Sequence, residues 1–186
     1  LNIPNSNEGT GNNSVFDGDY YGSAVDINNN LAIISAQFDS SNDILHHGSA
    51  YIFKTYDNGN TWDFKQKLLA FDLSSGDSYG GSSGSDAVRI NHKYAVVGAD
   101  QDRESNSSNL YYGSVYVYLT KTHGETWEFI GNIINAPDYT ISFTQEVPEY
   151  KYFGFNVVLT NTFLGITEHK YNNNGRVHVY TFPEDK

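Results

Sequence analysis

The chain has 186 residues, no cysteine and a formal net charge of −11. The lack of cysteine excludes disulfides, zinc–thiolate sites and a cysteine nucleophile, and the acidic balance argues against a nucleic-acid or anionic-membrane surface, since either needs a basic patch. Many tyrosines, phenylalanines and glycines indicate an all-β protein. No apolar run approaches the roughly 18 residues of a membrane-spanning helix.

The first predicted strands begin near residue 17 and form a unit of four. The first, "SAVDI", alternates polar and apolar residues, and the second, "LAIISA", is an apolar run typical of a strand covered on both faces. The third, "SAYIF", is β-branched and aromatic, and the fourth is "TWDFKQKLL". The link "NNN" between the first two strands, residues 28–30, has the length of a hairpin loop.

This unit recurs along the chain with a period of about 60–65 residues. "GSAYIF" returns as "GSVYVY", and "DNGNTWDF" returns as "THGETWEF". A third copy, "FGFNVVLTNTFLGIT" followed by "GRVHVY", ends without a fourth strand. We place the repeats at about residues 17–76, 77–136 and 150–182 of one all-β domain, residues 1–186.

A repeated antiparallel sheet cannot bury both of its faces alone, so the repeats must stack, and radial stacking gives a β-propeller. We therefore predict an all-β fold of β-propeller-type blades, about three four-stranded antiparallel repeats with the last incomplete. Such a set has open edges. The opening "LNIPNSNEG" resembles the end of a fourth strand, so residues 1–16 are predicted to complete a blade. Either copies of the chain pair in this way, or the chain is part of a longer propeller.

With these repeats identified, the chain resembles FG-GAP repeat proteins, the family whose propeller is also found in integrin α-chain heads. "YG", "YG" and "FG" stand where that family has its FG, at Tyr21-Gly22, Tyr79-Gly80 and Phe153-Gly154. "ISA", "VGA" and "GIT", the last at Gly165–Thr167, stand where it has GA(P). The ordered set covers about residues 17–182 and implies a propeller fold.

The chain departs from the calcium loop known from integrin blades, which needs a D-x-D-x-D-G-like run before the second strand. The links here, "NNN", "NHK" and "TNT", are too short and too poor in carboxylates to supply the ligands of calcium. Four aspartates that follow the second strands are weak calcium candidates, with a solvated acidic rim as the alternative: Asp39, Asp43, Asp100 and Asp102. No other cofactor is expected.

"TYDNGNTW", Thr55–Trp62, resembles the Asp-box of sialidases. A local role is predicted for it, in which the aspartate accepts hydrogen bonds from its own turn, the glycine has a positive φ and the tryptophan packs under the turn. The second copy keeps all of these residues except the aspartate, which is Thr122. The predicted structural turn residues are Asp57, Gly59, Thr61, Trp62, Gly124, Thr126 and Trp127.

A sialidase-like mechanism would need three arginines around the substrate carboxylate, a tyrosine–glutamate pair and an acid. The chain has only Arg89, Arg103 and Arg176, and they lie on different elements. No catalytic residues are assigned, so we predict that the protein is not an enzyme.

The predicted function is a non-enzymatic extracellular or cell-surface propeller segment for adhesion, protein binding or self-assembly as a ring or filament subunit. Its partner would be a copy of itself or the rest of a longer chain. The alternative is a glycan-binding or sialidase-like glycoside hydrolase propeller fragment. Asn12 and Asn106 are predicted glycosylation acceptors if the chain is secreted from a eukaryote. The insertion at Gly80–Asp86 and the loop at Asp100–Tyr112 interrupt the repeat and are predicted binding surfaces.

Overall fold

The structure is a computed structural model that describes residue 1 and residues 19–40, 44–72, 75–82, 84–102, 112–134, 152–169 and 175–182. These residues form strands and turns and contain no helix, so none of them forms a membrane-spanning helix. The strands are β1 (Tyr21–Asn28), β2 (Leu31–Ala36), β3 (Ser49–Lys54), β4 (Asp63–Leu68), β5 (Val88–Ile90), β6 (Tyr94–Ala99), β7 (Ser114–Leu119), β8 (Glu128–Ile134), β9 (Phe153–Leu159), β10 (Phe163–Glu168) and β11 (Arg176–Thr181).

The strands pair into three antiparallel sheets, which we name blades 1, 2 and 3. Blade 1 has the order β1-β2-β3-β4, blade 2 the order β5-β6-β7-β8, and blade 3 the order β9-β10-β11. The predicted all-β fold of propeller-type blades, two of them four-stranded and the third with three strands in the described residues, is confirmed. The residue boundaries of the repeats and the blade-completing role of residues 1–16 stay predictions, and residues 2–16 lie outside the described part.

Strand pairing defines which positions of the three blades are equivalent. In each blade the last residue of the second strand pairs with the first residue of the third: Ala36 with Ser49, Ala99 with Ser114, and Glu168 with Arg176. Thr167-Glu168 is therefore the equivalent of the "GA" positions in blade 3, two residues later than a match of Gly165 in "GIT" to the glycine of "GA" predicts. The glycine of "GIT" misled the alignment because blade 3 has a threonine where blade 2 has Gly98.

One hydrophobic core lies between blades 1 and 2. Both second strands, β2 and β6, are buried along their whole length, as expected for strands covered on both faces. Each large apolar side chain that is fully removed from water here contributes about 1.5–3 kcal/mol. The main members of this core are Leu31, Ile33, Ala50 and Ile52 from blade 1, and Val88, Ile90, Val97, Tyr116 and Trp127 from blade 2.

The opposite face of blade 2 forms a second core with blade 3. It contains Tyr94, Val96, Val115 and Val117 from blade 2, and Phe153, Val157, Leu164 and Ile166 from blade 3. Blade 2 is thus covered on both faces, whereas each of the other blades has one neighbour within the described residues.

Glycines just before the third strands allow an aromatic residue to approach, either Tyr79, which precedes the first strand of blade 2, or Phe153, which begins that of blade 3. A Cβ atom on Gly48 would lie 2.1 Å from the Tyr79 carbonyl oxygen, and one on Gly113 would lie 2.0 Å from that of Phe153. Both glycines also have a positive φ, near +80°. The approach is fixed by backbone hydrogen bonds, because the Tyr79 N–H donates to the His47 carbonyl and the Phe153 N–H to the Tyr112 carbonyl.

The substitution Gly113→Ala should destabilise the protein far more than Gly84→Ala. Both glycines have a φ near +84°, but a Cβ on Gly84 meets nothing within 4 Å. Gly84→Ala should therefore cost only the left-handed backbone strain, about 1 kcal/mol. Gly113→Ala should cost a further 1–3 kcal/mol, roughly, for the clash between blades. Urea unfolding of both variants measures the difference, and equal losses would contradict the role given to Gly113.

Candidate functional site

The turn between the third and fourth strands of blade 1 is closed by the side chain of Asp57. Its carboxylate accepts a hydrogen bond from the Thr61 N–H at 2.8 Å and from the hydroxyls of Thr61 at 2.7 Å and Thr55 at 2.9 Å. These bonds lower the pKa of Asp57 to about 2, and the bond from the Thr61 N–H has the largest effect. Gly59 has φ +91°, and Trp62 is half-buried against the aromatic cluster of its own blade. The carboxylate is thus occupied by donors from its own turn.

The equivalent turn of blade 2 keeps the geometry without an aspartate. The Thr122 hydroxyl oxygen accepts from the Thr126 N–H at 2.8 Å and lies 2.9 Å from the Thr126 hydroxyl. Gly124 again has φ +91°, and Trp127 is buried in the core between blades 1 and 2. One side-chain oxygen at this position is therefore enough to close the turn.

The blade 2 turn also contacts blade 1 through an ionic cluster. The Glu125 carboxylate lies 2.5 Å from the Lys54 ammonium and 3.1 Å from that of Lys65, and it accepts a hydrogen bond from the Tyr56 hydroxyl. Lys54 also donates to the His123 carbonyl at 2.8 Å. These bonds lower the pKa of Glu125 to about 2. The bond with Lys54 has the largest effect, followed by those with Tyr56 and Lys65.

Beside the blade 1 turn lies an open groove, because no sheet precedes blade 1 in the described residues. A Cβ atom on Gly59 would meet only the Trp62 ring, at 3.9 Å, whereas one on Gly124 would lie 2.5 Å from the Leu31 side chain of blade 1. We name this feature the Trp62 groove. It has a volume of about 640 Å³ and is lined by Asn29, Asn30, Thr55, Tyr56, Asn58, Gly59 and Trp62.

Two of the four aspartates after the second strands, Asp39 and Asp100, are not part of a solvated rim. Asp39 is buried, accepts a hydrogen bond from the Tyr51 hydroxyl at 3.0 Å and lies 2.7 Å from the Lys67 ammonium. Asp100 is also buried, and the prediction of a solvated rim is wrong for these two because protein donors replace their water. Ser82 donates to Asp100 with its N–H and its hydroxyl, while burial raises the pKa of Asp100.

Asp102 accepts a hydrogen bond from the Tyr116 hydroxyl at 3.2 Å, and Asp43 lies outside the described residues. Within the described ranges there is no group of three or more side chains of the types that hold a metal. Calcium binding by these aspartates stays a prediction.

Other predicted features fall partly outside the described residues. Asn12, Asn106 and Arg103 lie outside the described residues. The guanidinium of Arg89 donates to Asp86 and to the Val88 carbonyl, and Arg176 lies on β11 of another blade.

The insertion at residues 80–86 was predicted to be a binding surface, but its members Gly80, Gly81 and Ser85 are buried. That expectation is wrong for them because this segment packs between the blades.

One face of blade 3 carries exposed apolar side chains from all of its strands. On β11, Val177 is 66% and Val179 is 67% exposed, and on β10 Phe163 is 49% exposed. Val158 of β9 and Val179 of β11 both pair with Gly165 of β10, so Val158 lies on the same side of the sheet as Val179. We name Val158, Phe163, Val177 and Val179 the trailing face. The equivalent faces of blades 1 and 2 are buried against the next blade.

Blade 1 has the complementary exposed positions on its first strand. Val25 is 54% and Ile27 is 59% exposed, whereas their equivalents in blade 2, Val88 and Ile90, are buried in the core with blade 1. We name the exposed side of β1, with Gly22 and the Trp62 groove, the leading face. A Cβ atom on Gly22 would meet nothing within 4 Å.

Comparison with known families gives one match. A model of the FG-GAP repeat matches residues 15–53 and 62–118, together just over half of the chain. The chain belongs to the FG-GAP repeat family. The matched segments run from β1 to β3 and from β4 into β7, and no curated protein matches the chain.

FG-GAP repeats suggest a propeller-type protein-binding domain, and they typically occur in extracellular or surface proteins. The family is generally non-catalytic. In this FG-GAP chain the features that fit protein binding are the leading and trailing faces, which sequence reasoning described only as open edges. These faces could have been found by aligning the repeats, because each exposed position is equivalent to a buried position in another repeat.

In the turn between β3 and β4, Asp57→Ala should lower the melting temperature, whereas Asp57→Thr should restore most of the loss. The reason is that alanine removes the acceptor of the Thr61 N–H, while threonine supplies the oxygen that Thr122 supplies in blade 2. Thermal unfolding followed by circular dichroism measures both. A threonine variant as unstable as the alanine variant would show that the turn requires a carboxylate.

The contribution of Glu125 to stability should depend on pH. Since its folded pKa of about 2 lies below its ordinary value of 4.5, the stabilisation is complete above about pH 5 and is lost as the pH falls toward 2. The urea midpoints of the wild type and Glu125→Gln should therefore differ at pH 7 and converge near pH 2. Glu128→Gln, which removes an exposed pair with Lys121, is the control and should change the midpoint little. A gap that persists at pH 2 would contradict the assignment.

Proposed function

We propose that this FG-GAP protein is a non-enzymatic, extracellular β-propeller segment that binds protein through its trailing face, and that the bound partner is a second copy of the chain. The observation that carries the proposal is the exposure of Val177 and Val179 on a face whose equivalents in blades 1 and 2 are buried.

The exposed face is energetically unfavourable in water. Burying one valine or phenylalanine side chain is worth about 1.5–3 kcal/mol, and soluble monomers rarely expose a contiguous apolar patch of this kind unless it binds something. The trailing face has the shape and register of a blade surface that takes another blade. The partner chemistry that fits it is therefore a β-sheet with small residues at its leading edge.

The same chain carries such a sheet edge. Gly22, Val25 and Ile27 of blade 1 stand at the positions that blades 2 and 3 use to pack against the preceding blade. Because the two complementary faces are different surfaces, contact between copies is head-to-tail. Repetition of a head-to-tail contact gives a ring if it closes and a filament if it does not.

A non-enzymatic role is supported by the contacts of the Asp-box-like aspartate and of one of the three arginines. Asp57 is held by its own turn, and Arg89 is held by Asp86 of its own blade. An extracellular location is supported by the usual occurrence of FG-GAP repeats in surface proteins. Adhesion is the consequence we propose when copies on neighbouring surfaces make this contact.

The proposal predicts that the mass in solution rises with concentration above the 20.8 kDa of one chain. Val179→Lys should abolish the rise, because a lysine ammonium cannot be buried unpaired in a contact between blades. The matched control is His92→Lys, which adds a lysine to an exposed link outside both faces. Light scattering up to about 100 µM measures the masses, a range that reveals contacts of micromolar affinity.

Two results would contradict self-assembly. One is a wild-type mass that stays at 20.8 kDa over the whole range. The other is a Val179→Lys variant that associates as strongly as the wild type and His92→Lys. Circular dichroism and melting temperatures of both lysine variants show that they are folded before their masses are compared.

A further inference from the structure

We infer how the copies dock, an inference that rests on the proposed function. Phe163 of one copy inserts into the Trp62 groove of the next copy. In the same contact, the Tyr21-Gly22 segment of the next copy lies on Gly175 at the start of β11. Each part of this arrangement repeats a contact that the chain already makes between its own blades.

The first residue of each second strand contacts the turn after the third strand of the next blade. Leu31 is buried and lies against Gly124 in the blade 2 turn. Tyr94, at the equivalent position of blade 2, stacks on Phe182 just after β11, with ring centroids 4.0 Å apart and an interplanar angle of 11°. Phe163 is the third residue of this set. It is half-exposed because the described residues contain no further blade to receive it.

Among the described residues, no such side chain contacts the turn of blade 1. Gly59 is the equivalent of Gly124, and the space that Leu31 fills beside Gly124 is part of the Trp62 groove beside Gly59. The groove volume of about 640 Å³ is ample for one phenylalanine side chain. Aromatic pairs contribute about 0.5–1.5 kcal/mol beyond their buried area, so a phenylalanine beside the Trp62 ring is a favourable occupant.

The proposed docking of the Tyr21-Gly22 segment also repeats a contact between blades. Gly48 and Gly113 each lie against the backbone of the aromatic residue that starts the next blade, Tyr79 or Phe153. Gly175 is the equivalent in blade 3 and also has a positive φ, +69°, but a Cβ on it would come no closer than 3.3 Å to any atom, the His169 carbonyl oxygen. A groove of about 480 Å³ lies there, lined by Asn156, Thr167, Glu168, His169, Gly175, Arg176 and Val177.

Gly22 has the matching property on the other side of the contact. A Cβ on its equivalent in blade 3, Gly154, would lie 2.7 Å from the Ser114 carbonyl oxygen, and one on Gly80 would lie 2.7 Å from the Ser35 Cβ. At Gly22 the same atom meets nothing within 4 Å. One chain therefore carries a protruding residue, its receiving groove, a docking glycine and its partner glycine, and none of them is matched by another of the described residues.

The inference is tested with two complementary variants of the 186-residue chain. Val179→Lys disables the trailing face, and Ile27→Lys disables the leading face. Each variant alone should remain at the mass of one chain. An equimolar mixture should form a discrete pair of two chains, because each variant retains the face that the other needs, and it should not grow further.

The outcomes separate the inference from the proposed function. If Ile27→Lys alone still forms dimers, the trailing faces pair with each other, so the head-to-tail inference is overturned while self-assembly stands. If the two variants do not pair when mixed, although the wild type associates, the inference is likewise overturned. A wild type that never associates overturns the proposed function and the inference together.

The Phe163 contact has its own readout in Trp62 fluorescence. On association of the wild type, the emission of half-buried Trp62 should shift to the blue, whereas buried Trp127 contributes a nearly constant background. Phe163→Ala should weaken association about tenfold or more and abolish the shift. The control is Phe71→Ala, which removes an exposed phenylalanine that belongs to neither face and should leave both unchanged.

The same readout tests a sugar as the occupant of the groove. If sialyllactose at millimolar concentration shifts the Trp62 emission of the Val179→Lys monomer, the groove is a glycan site and the Phe163 inference is overturned. The emission of that monomer is expected to stay unchanged when the sugar is added.

Discussion

The whole fold depends on burying both faces of a sheet that cannot be buried alone. Strand β6 has apolar or small side chains on each side and another sheet on each face, whereas the face of β2 that is turned away from blade 2 is covered by Tyr21, Trp62 and Phe64 of its own blade. Blade 2 meets this requirement completely within the described residues, between the cores that contain Ile33 and Leu164. Blade 3 does not, and the exposed valines of β11 are the direct result. The fold and the proposed binding activity therefore have one physical origin.

Close approach between sheets limits which residues can stand at the contact. The backbone of Tyr79 passes so near to Gly48 that no side chain fits there, and hydrogen bonds from the backbone hold it in place. Elsewhere between blades 1 and 2, polar groups pair across the contact. The Gln66 amide exchanges hydrogen bonds with both backbone groups of Trp127, and Glu125 joins two lysines of blade 1. The hydrophobic effect stabilises the contact between the blades, and these polar pairs fix the register of one blade on the next.

Sequence reasoning gave the strands, their order and the FG-GAP resemblance, because each repeat confirms the pattern of the others. It did not give the burial of Asp39 and Asp100, since the donors that replace their water, such as Tyr51 and Ser82, come from other strands and loops. The insertion after Tyr79 looked like a surface loop, yet Gly80 and Gly81 are buried. The "GA" position of blade 3 was misplaced by two residues because pairing register depends on hydrogen bonds between strands, which a glycine match does not reveal.

The first residue of the second strand differs in size from blade to blade, being Leu31, Tyr94 and then Phe163. Each receiving site differs with it: Gly124 already lies tightly against leucine, and Phe182 offers a flat ring to tyrosine. An exchanged blade would leave a void in one site or overfill another, and either costs stability. During folding, sheets of similar sequence that emerge from one chain are thus sorted into a single order, which limits the domain-swapped and misassembled species that repeat proteins are prone to form.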